Sequence, residues 1–223
     1  MISNGKFYES QFEEATIELL REAHWQYAFG DDIHRKYTDP LIEEELRNFL
    51  TVQYKDKNLT TSEMDSIVAN LRNTGGQNDY YALRNAFLLY RDGYDFAYSD
   101  GRDNPFRLEY IDFEHPDHNI FRCVNQFVME QGRENRRPDI LLFINGIPVC
   151  IIELKNPTKQ NATIHDAHTQ ICTRYMRDIP ALLKYCALAV ISDGAKNALG
   201  TTYTPFEFFY EWKKIENEDK AGK

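Results

Sequence analysis

The sequence predicts an α/β (α+β) fold, a mixed central β-sheet flanked by helices with a helical portion ahead of it. Three observations carry that prediction. Apolar residues recur at three- and four-residue spacing through the first ninety positions. Two apolar runs of strand length, residues 139–144 and 147–154, flank Asn145-Gly146, a strong signal for a two-residue hairpin turn. A helical segment over residues 164–177 then leads to an apolar strand over 186–191, so the hairpin, a crossover helix and a further strand compose a mixed sheet with a helix packed on it.

Taken in order, Phe12, Ala15, Leu19, Leu20 and Ala23 mark one face of a first helix. A second covers residues 41–50. A third begins at Thr60, where Thr60-x-x-Glu63 has the form of a capping box ahead of the stripe Met64, Ile67, Val68 and Leu71, and Gly75-Gly76 ends it. A fourth covers residues 80–90 and stops near Gly93. The acidic residues on these helices read as solvated exteriors. From Tyr94 the pattern changes to short aromatic and β-branched runs at 94–98, 106–113 and 120–129, joined by turn residues such as Asp100-Gly101 and His115-Pro116-Asp117. Pro148 limits pairing at the start of the second hairpin strand. The chain closes on an aromatic segment at 205–214, expected to be helical, and a polar tail. The expected organisation is therefore a helical part at 1–92, a core sheet at 93–200, and an aromatic helix with its tail at 201–223. No internal repeat or low-complexity linker interrupts it.

Of 223 residues, 42% are apolar and 27% charged, ordinary globular values that argue against wholesale disorder. The longest nearly apolar run, residues 140–152, is interrupted by Asn145-Gly146 and Pro148 and falls short of a membrane span. No basic region followed by an apolar stretch opens the chain, and four cysteines without CxxC spacing argue against a disulfide framework or a zinc ribbon. A reduced, cytoplasmic protein with no membrane partner is the expectation. The net charge of −9 disfavours a chain that grips nucleic acid unaided. That charge is uneven: residues 1–70 hold 14 acids and seven bases, whereas residues 131–185 hold eight bases and five acids. A nucleic-acid surface is expected in the second half, with help from other chains.

The chemistry concentrates on the second hairpin strand. Alternation puts Val149, Ile151, Glu153 and Lys155 on one side and Cys150, Ile152 and Leu154 on the other. Both sides are otherwise apolar, so Glu153 and Lys155 stand at the edge of a buried region, where a charge needs a partner or a metal. The hairpin brings Asp139 back near Glu153. Two close carboxylates repel unless a cation lies between them, and hard oxygen donors suit Mg²⁺. Lys155 beside that ion is placed to orient or deprotonate water for attack on a phosphodiester. The bland alternative is an ordinary Glu153–Lys155 ion pair. His165 and His168 have a spacing that can ligate metal but lack a further soft ligand, and they read as surface residues or as residues that support a site from behind. His115 and His118 read as loop residues, and Cys123, Cys150, Cys172 and Cys186 as buried apolar fillers. Arg133, Arg136, Arg137 and Lys159 flank the carboxylates as phosphate contacts or as a solvated basic turn.

Pro138-Asp139 with Glu153-Leu154-Lys155 resembles the PD-(D/E)xK nuclease motif. The wider wording resembles the N-terminal region of the restriction (R) subunit of type I restriction-modification enzymes. The blocks that carry this likeness are Phe12-Glu13-Glu14, Ile111-Asp112-Phe113, Asn125-Gln126-Phe127, residues 137–148, Glu153-Leu154-Lys155-Asn156-Pro157, residues 177–180, residues 191–194 and Trp212-Lys213. Several blocks in the right order are more specific than three catalytic letters. The resemblance implies a restriction-endonuclease-like core in which Asp139, Glu153 and the Leu154 carbonyl hold Mg²⁺, or Mn²⁺ in its place, and Lys155 is the catalytic lysine. It also implies that Gln170 is an active-site or DNA contact, that Tyr175, Arg137 and Lys159 contact DNA, and that Glu13 or Glu14 contributes an acidic group.

Family members carry Gln-x3-Tyr on the helix after the lysine, whereas here Gln170 and Tyr175 are five apart. Five α-helical residues turn through about 500°, so the two side chains are expected to share a face less neatly than a four-residue pair, and Tyr175 is the looser of the two assignments. The implied partners are double-stranded DNA and the methyltransferase and specificity subunits. Complete R subunits continue into an ATP-dependent translocase, and no G-x4-G-K-[ST] loop occurs here, so the resemblance implies an N-terminal piece with ATP bound elsewhere. The rival readings are a catalytically silent docking or assembly module, which draws on the acidic charge and the aromatic closing segment, and a stand-alone repair nuclease of the same superfamily.

Overall fold

The computed structural model describes residues 4–155 and 163–212. Helix α1 (Asn4–Glu22) leads into strand β1 (Gln26–Phe29), and three helices follow: α2 (Glu43–Gln53), α3 (Thr61–Asn73) and α4 (Asp79–Asp92). Two small hairpins, β2 (Tyr94–Phe96) with β3 (Phe106–Leu108) and β5 (Met129–Gln131) with β6 (Glu134–Arg136), flank β4 (Phe121–Asn125) in sequence. Strands β7 (Ile140–Ile144) and β8 (Ile147–Leu154) form the central hairpin. Helix α5 (Ile164–Thr169) continues through a π-helical segment, Gln170–Tyr175, and a closing turn, Met176–Asp178. Strands β9 (Leu188–Ser192), β10 (Asn197–Gly200) and β11 (Tyr210–Glu211) complete the described residues.

The fold is mixed α/β, built on a seven-stranded sheet in the order β1-β4-β7-β8-β9-β10-β11. Strands β1 and β4 run parallel, as do β8 and β9, and the other neighbours are antiparallel. One face packs Leu141, Phe143, Ile151, Ala189 and Ile191 against Ala167, Ile171 and Tyr175 of the α5 region. The other packs Cys123, Ile140, Cys150 and Ile152 against Ile17 of α1. A third cluster, with Leu46, Leu50, Ile67, Leu71 and Tyr90 from α2, α3 and α4, closes over Ile147 at the turn end of the hairpin. Among the described residues, no helix is long and apolar enough to cross a membrane.

Local signals explain much of this. Thr60 caps α3 with both reciprocal bonds of a capping box, its Oγ1 accepting from the Glu63 N–H at 3.2 Å and its own N–H donating to Glu63 Oε2 at 2.9 Å. Asn145 and Gly146 both take positive φ, 52° and 75°, the pair of angles a type I′ hairpin turn requires. Gly146 also admits α2: a Cβ there would stand 2.2 Å from the Ile42 carbonyl oxygen, and the Gly146 carbonyl accepts the Ile42 N–H at 2.9 Å.

Four expectations need correction. The first ninety residues are not all helical, because β1 joins the sheet edge through pairing with β4, a partner about a hundred residues away that no local pattern reveals. On α1 the buried side is Phe12, Ile17 and Leu20, while Ala15, Leu19 and Ala23 face solvent, Ala23 beyond the helix end. The alternation in β8 breaks at Val149, the extra residue of a bulge between Pro148 and Cys150, so Val149 packs with Ile152 and Leu154 rather than with Ile151. The closing segment is not a helix. After Pro205 it makes one 3₁₀ turn, Phe206–Phe208, and then pairs as the edge strand β11, as suits aromatic residues of high strand propensity. Lys213 lies outside the described residues.

Two substitutions rank the local signals. Thr60→Ala is expected to cost about 1 kcal/mol through loss of the cap. Gly146→Ala is expected to cost more, since it adds left-handed strain of roughly 1–2 kcal/mol to a steric collision with α2. Urea unfolding midpoints of the two variants measure the order, and a Gly146→Ala midpoint equal to wild type would refute the turn assignment.

Candidate active site

At the open end of the hairpin, pairing of Ile140 with Ile152 sets Asp139 beside Glu153. Glu153 is fully buried on the α5 face of the sheet, and a carboxylate there needs compensation from every side. It receives it in a closed ring. Lys155 Nζ donates to Glu153 Oε1 at 2.7 Å and to Gln170 Oε1 at 2.8 Å. Gln170 Nε2 donates to the Tyr175 hydroxyl at 2.7 Å, and that hydroxyl donates to Glu153 Oε2 at 3.3 Å. Lys155 itself is held by its backbone N–H, which donates to the Ser192 carbonyl at 2.7 Å.

Asp139 is half-buried, and its Oδ2 accepts the Leu154 N–H at 2.8 Å, tying the ends of the two strands together. Burial pushes the Asp139 carboxyl up to about 6, against the pull of the Leu154 N–H and Lys155, and the charge of Glu13 pushes the same way. Burial and the neighbouring Asp139 push Glu153 up to about 8, with Lys155 pulling it down. One ammonium thus faces two carboxyl groups that share their hydrogen bonding, a site rich in oxygen donors whose second negative charge develops only as its protons leave. That donor chemistry fits a hard divalent cation, with Asp139 and Glu153 as the charged ligands.

Gln170 and Tyr175 share the site despite their five-residue separation. The helix switches to π geometry across them, the Met176 N–H reaching the Ile171 carbonyl five residues back, so a residue and its fifth neighbour face the same way. The π geometry thus brings together a pair that regular α-helical spacing would align less neatly.

Glu13 turns toward the site: its Oε1 accepts from Asn125 Nδ2 at 2.7 Å and from Gln126 Nε2 at 3.3 Å, whereas Glu14 is exposed. Arg137 is exposed beside Asp139. Arg133 is exposed as well, whereas Arg136 is bound to Glu134 and to the buried Asp178. Lys159 lies outside the described residues. Arg174, which sequence reasoning passed over, is exposed and lines a cavity of about 360 Å³ with Gln170, Tyr175, Arg136 and Arg177. Its position four residues after Gln170 is the signal that was available. His165 and His168 pack around Phe206, and His168 Nε2 lies 2.9 Å from the Thr204 carbonyl, a structural role. The four cysteines are free; Cys123, Cys150 and Cys186 are buried and Cys172 only partly so.

The family model for the type I restriction enzyme R protein N terminus matches residues 6–208. The chain belongs to this family. It is 28% identical over 96% of its length to the type I restriction enzyme HindI endonuclease subunit of Haemophilus influenzae, covering 21% of that protein. It is 30% identical over 93% of its length to the putative type I restriction enzyme MjaIXP endonuclease subunit of Methanocaldococcus jannaschii, covering 20% of it. The chain thus spans about a fifth of the length of these two relatives.

The paired acids carry a stability signature. Both retain protons in the folded, metal-free chain at pH values where the unfolded chain, with carboxylates titrating near ~4, has lost them. The folded state then binds more protons, so stability falls as pH rises from about 4 towards 8 and levels off above. Urea unfolding in chelator across that range is expected to show the decline, and Glu153→Gln to flatten it. An equally steep decline in Glu153→Gln would contradict the assignment.

Proposed function

We propose that this chain is the endonuclease part of a type I restriction enzyme subunit, hydrolysing double-stranded DNA by direct attack of water on a backbone phosphorus without a covalent enzyme intermediate. The observation that carries the reading is the buried ring of Glu153, Lys155, Gln170 and Tyr175 beside Asp139, in a member of this family. Asp139, Glu153 and the Leu154 carbonyl would hold Mg²⁺, with Mn²⁺ as its substitute. When bound, such an ion polarises the phosphoryl oxygen and increases the acidity of water.

The protein's own groups do the rest. Lys155, fixed between Glu153 and Gln170, presents an ammonium that orients the attacking water and offsets charge developing on the phosphate. Gln170 sets the direction of that ammonium, and Tyr175 holds the far oxygen of Glu153. Arg137 and Arg174, both exposed, contact phosphates flanking the cut, as does Lys159. Because the chain carries a net −9 charge, DNA is delivered by partners: specificity and methyltransferase subunits choose the site, and ATP is used by the translocating remainder of the subunit.

In the full restriction complex, Glu153→Ala or Lys155→Ala is expected to reduce cleavage on the order of 10²-fold or more while ATP-driven translocation persists. Tyr175→Phe is expected to cost roughly tenfold, the worth of one net hydrogen bond. Cleavage retained in Glu153→Ala would refute the reading. The exposed Phe208, Tyr210 and Trp212 along the β11 edge favour a second reading, in which the chain serves only for docking. A titration with Mg²⁺ or Mn²⁺ separates the two, because binding lost in Asp139→Asn supports the enzyme.

A further inference from the structure

Asp112, His115 and His118 stand at three-residue intervals in the turn between β3 and β4, and one ligand atom from each lies within 4.8 Å of the others. Asp112 is buried and both histidines are exposed. The Nδ1 atoms of His118 and His115 lie 3.0 and 3.5 Å from the same oxygen, Asp112 Oδ2. Their rings stack, with centroids 4.9 Å apart and planes 18° apart.

The two oxygens of Asp112 have separate duties. Oδ1 accepts the Glu114 and His115 N–H groups at 3.1 and 2.8 Å and shapes the turn. Oδ2 faces the two imidazoles and is steadied from behind by Gln53 Nε2 of α2 at 3.1 Å. A simple Asp–His hydrogen bond needs one ring. Here two rings bring their inner nitrogens close to one carboxylate oxygen, and these two separations bracket the edge of a tetrahedron around zinc, about 3.3 Å for bonds of about 2.0 Å, with every ligand pair within 4.8 Å. An ion bound among these three atoms would take the carboxylate oxygen and both nitrogen lone pairs as ligands.

We infer that this turn is a surface site for a zinc-type transition-metal ion, with Asp112 Oδ2, His115 Nδ1 and His118 Nδ1 as ligands and the fourth position open to solvent. Imidazole nitrogens favour Zn²⁺, Co²⁺, Ni²⁺ or Cu²⁺ over Mg²⁺, so ligand chemistry distinguishes this site from the all-oxygen pair Asp139 and Glu153. Distance separates them too. Asn119, at the end of the same turn, accepts from Asn145 Nδ2 at 2.8 Å, so the turn sits at the closed end of the β7–β8 hairpin. The acidic pair is at its open end, roughly 20 Å away at ~3.3 Å per residue. A bound ion would staple this turn to α2 through Asp112 and Gln53. The inference stands whether or not the nuclease reading holds.

Calorimetric titration of the chain with ZnCl₂ tests it, with Co²⁺ absorption reporting nitrogen and oxygen ligation. One equivalent is expected to bind wild type. The affinity is expected to fall at least ~tenfold in His115→Asn/His118→Asn, and to fall in Gln53→Ala by about tenfold or more through loss of the supporting hydrogen bond. Asp139→Asn/Glu153→Gln is expected to retain that equivalent. Should the double histidine variant not fold, Zn²⁺ protection of the wild-type histidines from diethyl pyrocarbonate replaces it. Absence of Zn²⁺ binding, unchanged binding in the histidine variant, unprotected histidines, or a loss confined to the carboxylate variant would each overturn the inference.

Discussion

A carboxylate with no exposure to water is the constraint on which the rest of the candidate site depends. Glu153 sits among the apolar residues of the sheet, where burial disfavours its ionised form, and Lys155 bonds one oxygen and Tyr175 the other. Gln170 closes the circuit by accepting from the lysine and donating to the tyrosine. A single missing member would leave a buried polar group unpaired, so the four residues act as a unit. Asp139 enters from the neighbouring strand and adds a second acid that the ring does not neutralise. The ring therefore holds Glu153 by both oxygens, while burial and the nearness of the two acids keep them reluctant to ionise together.

The helix on that side of the sheet is shaped so that it completes the ring. A regular α-helix would turn Tyr175 away from Gln170, and Glu153 would lose the partner for one oxygen. The π segment adds the residue that brings them together, at the cost of poorer hydrogen-bond geometry over one turn. Ile171 and Tyr175 remain buried through the switch, so the apolar contact with β8 and β9 is retained. The same segment leaves Arg174 facing the cavity beside Gln170, which sets a positive charge next to the negative centre.

The two ends of the central hairpin have different duties. The closed end is fastened by Asn145, whose side chain accepts the Ile120 N–H at 2.7 Å and donates to the Tyr110 carbonyl at 2.9 Å. Asn119 joins that clamp and links it to Asp112, which α2 holds through Gln53. The helices α2, α3 and α4 thus brace the hairpin where it turns, and the acidic pair lies at its other end. This division accounts for the strict requirement for glycine at position 146, where α2 approaches the backbone.

Much of this was legible in the sequence because it rests on near neighbours. The capping box at Thr60, the Asn145-Gly146 turn and the approach of Asp139 to Glu153 across a short hairpin all follow from local conformational preference and strand register. The sequence alone determined the α/β class, the central hairpin and the approach of Asp139, Glu153 and Lys155 to one another, whereas Gln170 joined them only through the family resemblance. Tertiary structure decided the rest. Strands β1 and β11 exist through pairing with partners that local periodicity does not report, and the inner face of α1 was set by which side met the sheet. The place of Tyr175, the orientation of Glu13 and the convergence of His115 and His118 on Asp112 depend on hydrogen bonds and a helical switch formed only when distant segments pack. The physical reason is that backbone propensity acts over a few residues, while burial and hydrogen-bond satisfaction are settled across the whole molecule.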